Sequence, residues 1–272
     1  MLKLMYITKS PEIARIAEHA GCDRIFVDLE KLGKEQRQGG MNTVKSDHTV
    51  ADAAAVRRVL KKAELLVRVN PMYDGSEEEI RSVIDAGADI VMLPYFKRAE
   101  EAEAFSGYCA GRAKTMLLVE TKEAASRLDE ILRRAKPDFV HVGLNDLHLD
   151  MKKKFMFELL ADGTVEKICQ ICKNHHIPYG FGGIAGLGHG LLPAEYVLAE
   201  HVRLGSSAVI LSRSFCDLSE PRSTAELTAI FNNGIAALRA YEKQLQGEPP
   251  AFFEKSRAQM RQIIQKITEG MP

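Results

Sequence analysis

With 272 residues, of which 46% are hydrophobic, the chain can bury a substantial core, and its length is normal for a (β/α)8 barrel. Its 37 Lys and Arg residues balance 37 Asp and Glu residues without a block of like charge, which argues against nucleic acid or an anionic membrane surface as the main partner. No hydrophobic run approaches the ~20 residues of a membrane span, and the N-terminus lacks the architecture of a signal peptide, so we expect a cytoplasmic protein.

The first half of the chain alternates short hydrophobic runs with amphipathic segments. Strands are predicted at residues 2–7, 24–29, 64–70 and 90–93, and helices at 11–20, 49–62, 76–86 and 97–110. Ser10 and Pro11 are typical of a helix start and Gly21 of a helix stop, and Ser76 with Glu79 forms a capping-box pattern. Residues 31–48 are polar and show no clear period, and a loop of this length is usually a lid or a binding loop.

The second half continues the alternation. Strands are predicted at residues 115–119, 139–142, 177–181 and 207–211, and helices at 122–135, 165–175, 193–201, 223–244 and 251–267. The pattern favours an α/β fold, a (β/α)8 TIM barrel with an additional C-terminal helix, over an open doubly wound sheet. Because no interior linker is visible, we expect one domain over residues 1–272. Its residues 222–272 would form a C-terminal helical extension that packs on a neighbour, in the same chain or in another subunit.

Two acidic residues follow neighbouring strands in the middle of the chain. Glu120 comes directly after the hydrophobic run 116–119, and Asp146 follows the run 139–142 by way of Gly143 and Asn145. Because a strand–helix–strand unit of this length packs its strands in parallel, both carboxylates should emerge on the same rim. Such a pair forms either a divalent-metal site or an acid/base pair.

In a barrel, the carboxyl ends of the strands carry the active site. Further residues predicted at those ends are Asp28, Glu30, Lys31, Arg68, Asn70, Tyr95, His148, Ser212 and Arg213, with the glycine-rich loop 182–190. Two carboxylates without a nearby Cys or His pair favour Mg²⁺ or Mn²⁺ over structural zinc. Arg68 would need an anion inside the barrel mouth, either a substrate or a rim carboxylate. Gly182 and Gly183 would bring backbone N–H groups to a carboxylate or phosphate, or form a plain turn.

Five segments in a fixed order resemble one enzyme family. They are FVDLE (26–30), LVRVNP (66–71), GADIVMLP (87–94), LLVET (117–121) and VGLNDL (142–147). Together they look like the HpcH/HpaI aldolase and citrate-lyase family, whose members are metal-dependent lyases on a TIM barrel. The resemblance spans roughly residues 20–215. It implies a homo-oligomer, with a hexamer as the candidate assembly, in which the C-terminal helix reaches across to another subunit.

The resemblance also implies roles for particular residues. Glu120 and Asp146 would be the protein ligands of a divalent metal, with Mg²⁺, Mn²⁺ or Co²⁺ as the candidates. Arg68 would match the arginine that steadies the enolate oxygen. In family members, the metal chelates the carboxylate and carbonyl oxygens of an oxo acid such as pyruvate and holds the enolate formed as the C–C bond breaks. Asn145, Gly182 and Gly183 are our candidates for substrate binding, and Asp28 and Glu30 for groups behind the metal ligands.

The chain departs from the family at the general base. The pyruvate-aldolase branch has a histidine straight after the strand-two DxE segment, where this chain has Lys31. The candidates for the base are His48 on the long loop, His148, His189 and a metal-bound water. Among them His48 is the first choice, because a lid can bring it inward.

The leading hypothesis is a class II, metal-dependent aldolase that cleaves or forms a 4-hydroxy-2-oxo acid through a metal-bound pyruvate-type enolate. One alternative keeps the metal but takes a CoA thioester, as in the citrate-lyase-like branch, which also lacks the histidine. The other is a barrel with reduced catalysis that acts as a ligand-binding or regulatory subunit.

Overall fold

The computed structural model describes residues 1–33, 47–217 and 221–271. Parallel strands form a closed barrel in which each strand pairs with the next and β8 pairs with β1. The strands are β1 Lys3–Ile7, β2 Arg24–Asp28, β3 Glu64–Arg68, β4 Ile90–Leu93, β5 Lys114–Val119, β6 Phe139–Val142, β7 Tyr179–Ile184 and β8 Ala208–Leu211. The predicted (β/α)8 barrel is confirmed.

Helices cover the outside of this barrel. Those in the described residues are α1 Pro11–Ala20, α2 Val50–Arg57, α3 Ser76–Asp85, α4 Ala99–Cys109, α5 Lys122–Ser126, α6 Leu128–Ala135, α7 Leu144–Asp150, α8 Glu158–Ala161, α9 Thr164–Asn174, α10 Ala194–Leu204, α11 Thr224–Leu245 and α12 Pro250–Glu269. Within the described part of the chain, no helix has both the length and the hydrophobicity needed to cross a bilayer.

The start and stop signals of α1 behave as the sequence predicts. The Ser10 hydroxyl accepts a hydrogen bond from the Ile13 N–H at 3.4 Å, and Pro11 occupies the first turn. Gly21 ends the helix with φ of 107°, a left-handed conformation that glycine adopts without steric cost.

Two local predictions, the end of one helix and the cap of another, are wrong because side chains there form hydrogen bonds that the sequence pattern does not indicate. The helix predicted at 49–62 ends at Arg57, and one carboxylate oxygen of Glu18 accepts the N–H groups of the next segment, residues 61–63, at 2.7–2.8 Å. The capping box at Ser76 does not form. The Ser76 hydroxyl accepts the Tyr73 N–H at 2.8 Å, and the Glu79 carboxylate is turned toward the residues after β3.

Boundaries also differ around the rim. The helix predicted at 122–135 is divided at Arg127 into α5 and α6. The segment after Gly143, for which the sequence predicts no element, is the short helix α7, so Asp146 lies in a first helical turn. The predicted loop residues Gly182 and Gly183 belong to β7, which begins and ends later than expected.

Side chains alternate between the barrel interior and the helix layer. The interior is filled by Met5, Phe26, Leu66, Ile90, Met92, Met116, Leu118 and Ala208. The amino end of the barrel is closed by paired charged side chains, because Glu64 accepts hydrogen bonds from Arg24 at 2.9 Å and from Lys114 at 2.8 Å. The Arg24 guanidinium also lies 4.4 Å from the centroid of the Phe139 ring. The barrel is therefore a packed core with one accessible end, as in other proteins of this architecture.

The last two helices hold the ends of the chain. On α11, the Glu242 carboxylate accepts the Leu2 N–H at 2.6 Å, and Phe231 packs edge-on against Tyr6 of β1 with ring centroids 4.7 Å apart. The additional helix α12 buries Met260 and Ile264 against the same chain. The oligomer that the resemblance implies stays a prediction.

His141 is a buried polar side chain of β6. Its Nε2 lies 3.1 Å from the carbonyl oxygen of Gly182, so the ring donates there. Burial lowers the pKa of His141 to about 4, the Gly182 carbonyl opposes this change, and the charges of Arg24 and Arg68 add to it. The native state therefore holds this imidazole neutral.

We expect His141 to make the protein less stable in acid. Its folded pKa lies below the ordinary value of 6.5, so the unfolded chain binds the additional proton as the pH falls from about 6.5 to about 4. This difference corresponds to about 3 kcal/mol. His141→Gln keeps a donor for Gly182 but does not titrate. Between pH 7 and pH 4, its free energy of unfolding in urea should therefore fall by about 3 kcal/mol less than that of the unaltered protein. His19→Gln, on the exposed face of α1, is the control, and an unchanged pH dependence in His141→Gln would contradict the expectation.

Candidate functional site

Charged side chains form the layer above the hydrophobic interior at the carboxyl ends of β2, β3 and β5. Phe26, Leu66 and Leu118 point into the barrel, and side chains two residues further along a strand share that direction. The next inward positions are therefore Asp28, Arg68 and Glu120. Asp28 and Arg68 are paired in register across β2 and β3. Polar side chains thus replace hydrophobic ones in the layer at the carboxyl ends of these strands, which form the mouth of the barrel.

Glu120 is a buried carboxylate with a fixed position. Its side chain is 2% exposed, and its Oε1 accepts the Tyr95 N–H at 2.9 Å. Tyr95 follows β4 and has φ of 50°, a conformation that costs a non-glycine residue about 1 kcal/mol or more and is concentrated at functional sites. The next residue, Thr121, donates its hydroxyl to the Phe96 carbonyl at 2.9 Å and accepts the Ala124 N–H at 3.1 Å as the N-cap of α5.

Gly143 makes room for Glu120. The β5–β6 register pairs Val119 with Val142, so the two following residues lie side by side. A Cβ atom on Gly143 would lie 2.8 Å from Glu120 Oε2 and 2.9 Å from Glu120 Cβ. Only glycine therefore allows the carboxylate to pack directly against the backbone that leads into α7.

Asp146 and Asn145 lie in the first turn of α7. Asp146 is partly exposed and Asn145 is exposed. An acidic residue in a first helical turn is favoured by the helix dipole whatever its other role. The structure places Asp146 on the connection after β6, next to the strand that carries Glu120, and so brings both predicted carboxylates to one side of the rim.

Arg68 is held by two carboxylates. Its Nε and Nη2 donate to the two oxygens of Asp28, both at 2.9 Å, and its Nη1 lies 3.2 Å from Glu30 Oε2. Burial of the guanidinium lowers its pKa, but the carboxylates of Asp28, Glu30 and Glu120 raise the pKa well above its ordinary value. Of the two anions predicted for Arg68, a substrate or a rim carboxylate, the structure contains the second.

Asn70 links β3 to the residues after β2, a contact that the sequence pattern does not reveal. Its side-chain oxygen accepts the N–H groups of Lys31 at 2.8 Å and Leu32 at 2.9 Å, and its amide nitrogen donates to Glu79 at 2.7 Å. The backbone that carries Glu30 is thereby tied to α3. Lys31, at the position of the family histidine, has an exposed side chain. Most of the loop predicted at 31–48 lies outside the described residues, which resume at Asp47.

The three candidate histidines are in different surroundings. His48 is half-buried, and its Nδ1 accepts the Asp28 N–H at 3.0 Å. His148 is buried on α7, and its Nδ1 lies 3.1 Å from the Leu144 carbonyl oxygen. It is two residues from Asp146, a spacing that places side chains on different faces of a helix. His189 is exposed in the connection between β7 and α10. Of the three, His48 contacts the Asp28–Arg68 pair.

The glycines of β7 have packing reasons for their identity. A Cβ atom on Gly180 would lie 2.3 Å from the Ala208 carbonyl oxygen, and one on Gly182 would lie 2.6 Å from Leu144 Cδ1. The β7–β8 register shifts between Gly180 and Gly183, which marks a bulge. Gly183 has more space, since a Cβ atom there would lie 3.5 Å from Ser212 Cβ. Substrate binding by Gly182 and Gly183 stays a prediction.

The donor set at this rim suits a hard divalent cation. Among the described residues, no group of three or more His, Cys, Asp and Glu side chains could hold a metal ion, which speaks against an all-protein cage there. Mg²⁺ is usually bound by one or two carboxylates and completes its shell with water and substrate oxygens. Glu120 and Asp146 supply two such carboxylates on neighbouring connections, so these residues fit the divalent cation predicted from the sequence.

The protein is thus a (β/α)8 barrel with carboxylates and an arginine at the carboxyl ends of β2, β3, β5 and β6. The chain matches the family described as HpcH/HpaI aldolase/citrate lyase over residues 3–179. It therefore belongs to that family, and the family consists of lyases of the aldolase and citrate-lyase type. No curated protein matches the sequence.

Solved structures agree on the fold. An HpcH/HpaI aldolase from Desulfitobacterium hafniense DCB-2 superposes with a TM-score of 0.61 at 17% identity, covering 92% of this chain and 94% of that one. An HpcH/HpaI aldolase/citrate lyase family protein from Burkholderia cenocepacia J2315 gives a TM-score of 0.62 at 15% identity, covering 90% and 93%. At such identities the likeness shows the fold alone.

We expect Gly143→Ala to destabilise the protein, because the added methyl group overlaps Glu120. Overpacking of this kind typically costs about 1–3 kcal/mol. Gly107→Ala is the matched control, since nothing lies within 4 Å of a Cβ there and Gly107 is inside α4, where alanine is favoured by about 0.5–1 kcal/mol. Urea unfolding of both variants measures the difference. Equal stability of the two variants would show that Glu120 moves aside freely.

Proposed function

We propose that the protein is a divalent-cation-dependent aldolase that cleaves or forms a 4-hydroxy-2-oxo acid through a pyruvate-type enolate. The observation that carries the proposal is the rigid guanidinium of Arg68 on the same rim as the buried carboxylate of Glu120. Retro-aldol cleavage of such an acid leaves negative charge on the former carbonyl oxygen. Fixed positive groups beside that oxygen stabilise the charge as it develops.

Glu120 and Asp146 would hold the cation, Mg²⁺ or Mn²⁺ by preference and Co²⁺ as a third candidate. When bound, it supplies positive charge beside the oxygens of the oxo acid. The chemistry of the rim supports this assignment. Among the described residues, Asp28, Glu30, Glu120 and Asp146 bring carboxylate oxygens to this rim, and these are the ligands that a hard divalent cation prefers.

Arg68 would act on the enolate oxygen. A guanidinium has five N–H groups, and its contacts with Asp28 and Glu30 use one on Nε and one on each terminal nitrogen. Among the contacts between described residues, the second hydrogen of each terminal nitrogen is not used, and in this proposal it serves an oxygen in the mouth. Because Asp28 binds the guanidinium through two parallel hydrogen bonds, its plane is set before substrate arrives, which lowers the cost of reorganisation.

We expect pyruvate released from 4-hydroxy-2-oxo acids to require added Mg²⁺, Mn²⁺ or Co²⁺. Glu120→Gln removes a cation ligand and Arg68→Lys removes the planar fork, so each should lower kcat/KM by about 10²-fold or more. Exchange of the pyruvate methyl protons with deuterium oxide, followed by NMR, measures enolate formation alone and should fall in the same variants.

Glu77→Gln is the control, because it removes an exposed carboxylate of α3 that pairs with Arg81. Full activity in the presence of a chelator, with no loss in Glu120→Gln, would contradict the proposal. Cleavage of a CoA thioester in place of the free oxo acid would support the citrate-lyase-like alternative, which Lys31 at the histidine position favours. Binding of oxo acids without turnover would support a ligand-binding subunit.

A further inference from the structure

The main chains of β2 and β3 separate at the mouth, where the side chain of Asn70 replaces one step of the ladder. The Leu29 N–H donates to the Arg68 carbonyl at 2.8 Å. Because hydrogen bonds in a parallel ladder recur every two residues, the next one would join the Lys31 N–H to the Asn70 carbonyl. Instead, the side-chain oxygen of Asn70 accepts the N–H groups of Lys31 at 2.8 Å and of Leu32 at 2.9 Å. The Asn70 amide therefore continues the pairing beyond the end of β3.

The backbone that Asn70 holds also carries Glu30 to Arg68. Glu30 directly precedes Lys31 and is 1% exposed. Its Oε2 lies 3.2 Å from Arg68 Nη1, whereas Asp28 accepts hydrogen bonds from Nε and Nη2. Because Glu30 and Lys31 share a peptide bond, a shift of this backbone would move the carboxylate that contacts the third nitrogen of the guanidinium.

Glu79 of α3 determines which end of the Asn70 amide faces this backbone. A side-chain amide has an acceptor oxygen at one end and a donor nitrogen at the other. An ionised carboxylate only accepts hydrogen bonds, and Glu79 Oε1 lies 2.7 Å from the Asn70 amide nitrogen. The Asn70 main-chain N–H faces the same carboxylate, at 3.3 and 3.4 Å from its two oxygens. The amide oxygen is thereby directed to the opposite side, where Lys31 and Leu32 donate.

Glu79 is held in place by the residues at the start of its own helix. The Tyr73 hydroxyl donates to the Glu79 carboxylate. The Tyr73 ring packs on the backbone that leads into α3, since a Cβ atom on Gly75 would lie 2.6 Å from its Cε2. Burial raises the pKa of Glu79, and the hydrogen bonds that Asn70 and Tyr73 donate oppose this rise. These donors favour the ionised carboxylate, which is the form that orients the amide.

We propose that Asn70 and Glu79 are positioning residues for the guanidinium of Arg68. Glu79 orients the Asn70 amide, and the amide holds the backbone that keeps Glu30 in contact with the guanidinium. This rests on the proposed function, in which Arg68 stabilises the enolate oxygen. Because that charge develops only in the transition state, loss of the orientation should lower kcat and leave KM nearly unchanged.

A donor in place of the Glu79 carboxylate tests the orientation. Glu79→Lys places an ammonium group, which only donates, next to Asn70, so the amide oxygen turns away from the segment after β2. Addition of Asn70→Asp restores both contacts, because one aspartate oxygen accepts the ammonium group and the other accepts the main-chain N–H groups. We expect Glu79→Lys to lower kcat for aldol cleavage by about 10-fold or more, since small displacements near reacting atoms cost up to about 10²-fold. The double variant should recover most of this loss, and deuterium exchange into pyruvate should follow the same order.

Glu77→Lys is the matched control, because it makes the same change of charge at an exposed position of the same helix. It should leave kcat unchanged, and a loss equal to that of Glu79→Lys would overturn the proposal. An unchanged kcat in Glu79→Lys, or a double variant no more active than Glu79→Lys, would also overturn it. Urea unfolding separates a structural contact, which would shift the unfolding midpoint and leave the kcat of the folded protein unaltered.

Hydrogen exchange of the Lys31 and Leu32 amides, followed by mass spectrometry of the peptide that contains them, tests the contact without any activity. Exchange should be faster in Glu79→Lys by about 10-fold or more and slow again in the double variant, because the lost hydrogen bonds allow local opening. Equal rates in the three proteins would overturn the proposal. If the unaltered protein with added cation exchanges no pyruvate protons, the proposed function fails and the catalytic role with it. The amide rates would then still decide whether Glu79 orients Asn70.

Discussion

The rim depends on one ion pair, the two-pronged contact between Asp28 and Arg68. A charge in this position is costly unless its partners satisfy it fully, and breaking a buried pair by removing one member typically costs about 3–5 kcal/mol. The pair is reinforced locally, because the Glu30 N–H donates to the same Asp28 carboxylate at 3.1 Å and the Glu30 side chain reaches Arg68. The main chain of Asp28 holds His48 in turn, so one residue orients both a guanidinium and an imidazole.

The opposite side of the rim is built differently. There the buried carboxylate of Glu120 is positioned by main-chain features: the left-handed turn at Tyr95, the N-cap at Thr121 and the absence of a side chain at Gly143. None of these adds charge near Glu120. The Arg68 charge acts on Glu120 less than on Asp28 and Glu30, which the guanidinium contacts directly, so Glu120 keeps more of its attraction for a cation. The two sides of the mouth are thus suited to different partners.

The barrel and its charged rim were predictable because both follow from local rules. Hydrophobic runs of strand length ending in acids identify the strands and their carboxyl ends, and short strand–helix–strand units force parallel neighbours. That is sufficient to place Glu120, Asp146 and Arg68 on one rim. The helix α7 was missed because its seven residues are too few to show a helical period.

Contacts between residues far apart in the chain could not be predicted in this way. Asn70 joins Lys31 and Leu32 to Glu79, and the Ser76–Glu79 capping box fails for the same reason, since Glu79 is engaged by Asn70. His48 accepts the Asp28 N–H across 20 residues of chain, and no local pattern indicates that contact. Sequence patterns indicate which residue types are present at the rim, but the hydrogen-bond partner of each atom is a property of the folded barrel.

The closed amino end of the barrel has a kinetic consequence. The pair of Arg24 and Lys114 on Glu64, with hydrophobic side chains above it, leaves no path through the cylinder. Any molecule that reaches the carboxylates therefore enters and leaves through the mouth. An obstruction of this one opening would therefore slow both the entry and the departure of a ligand.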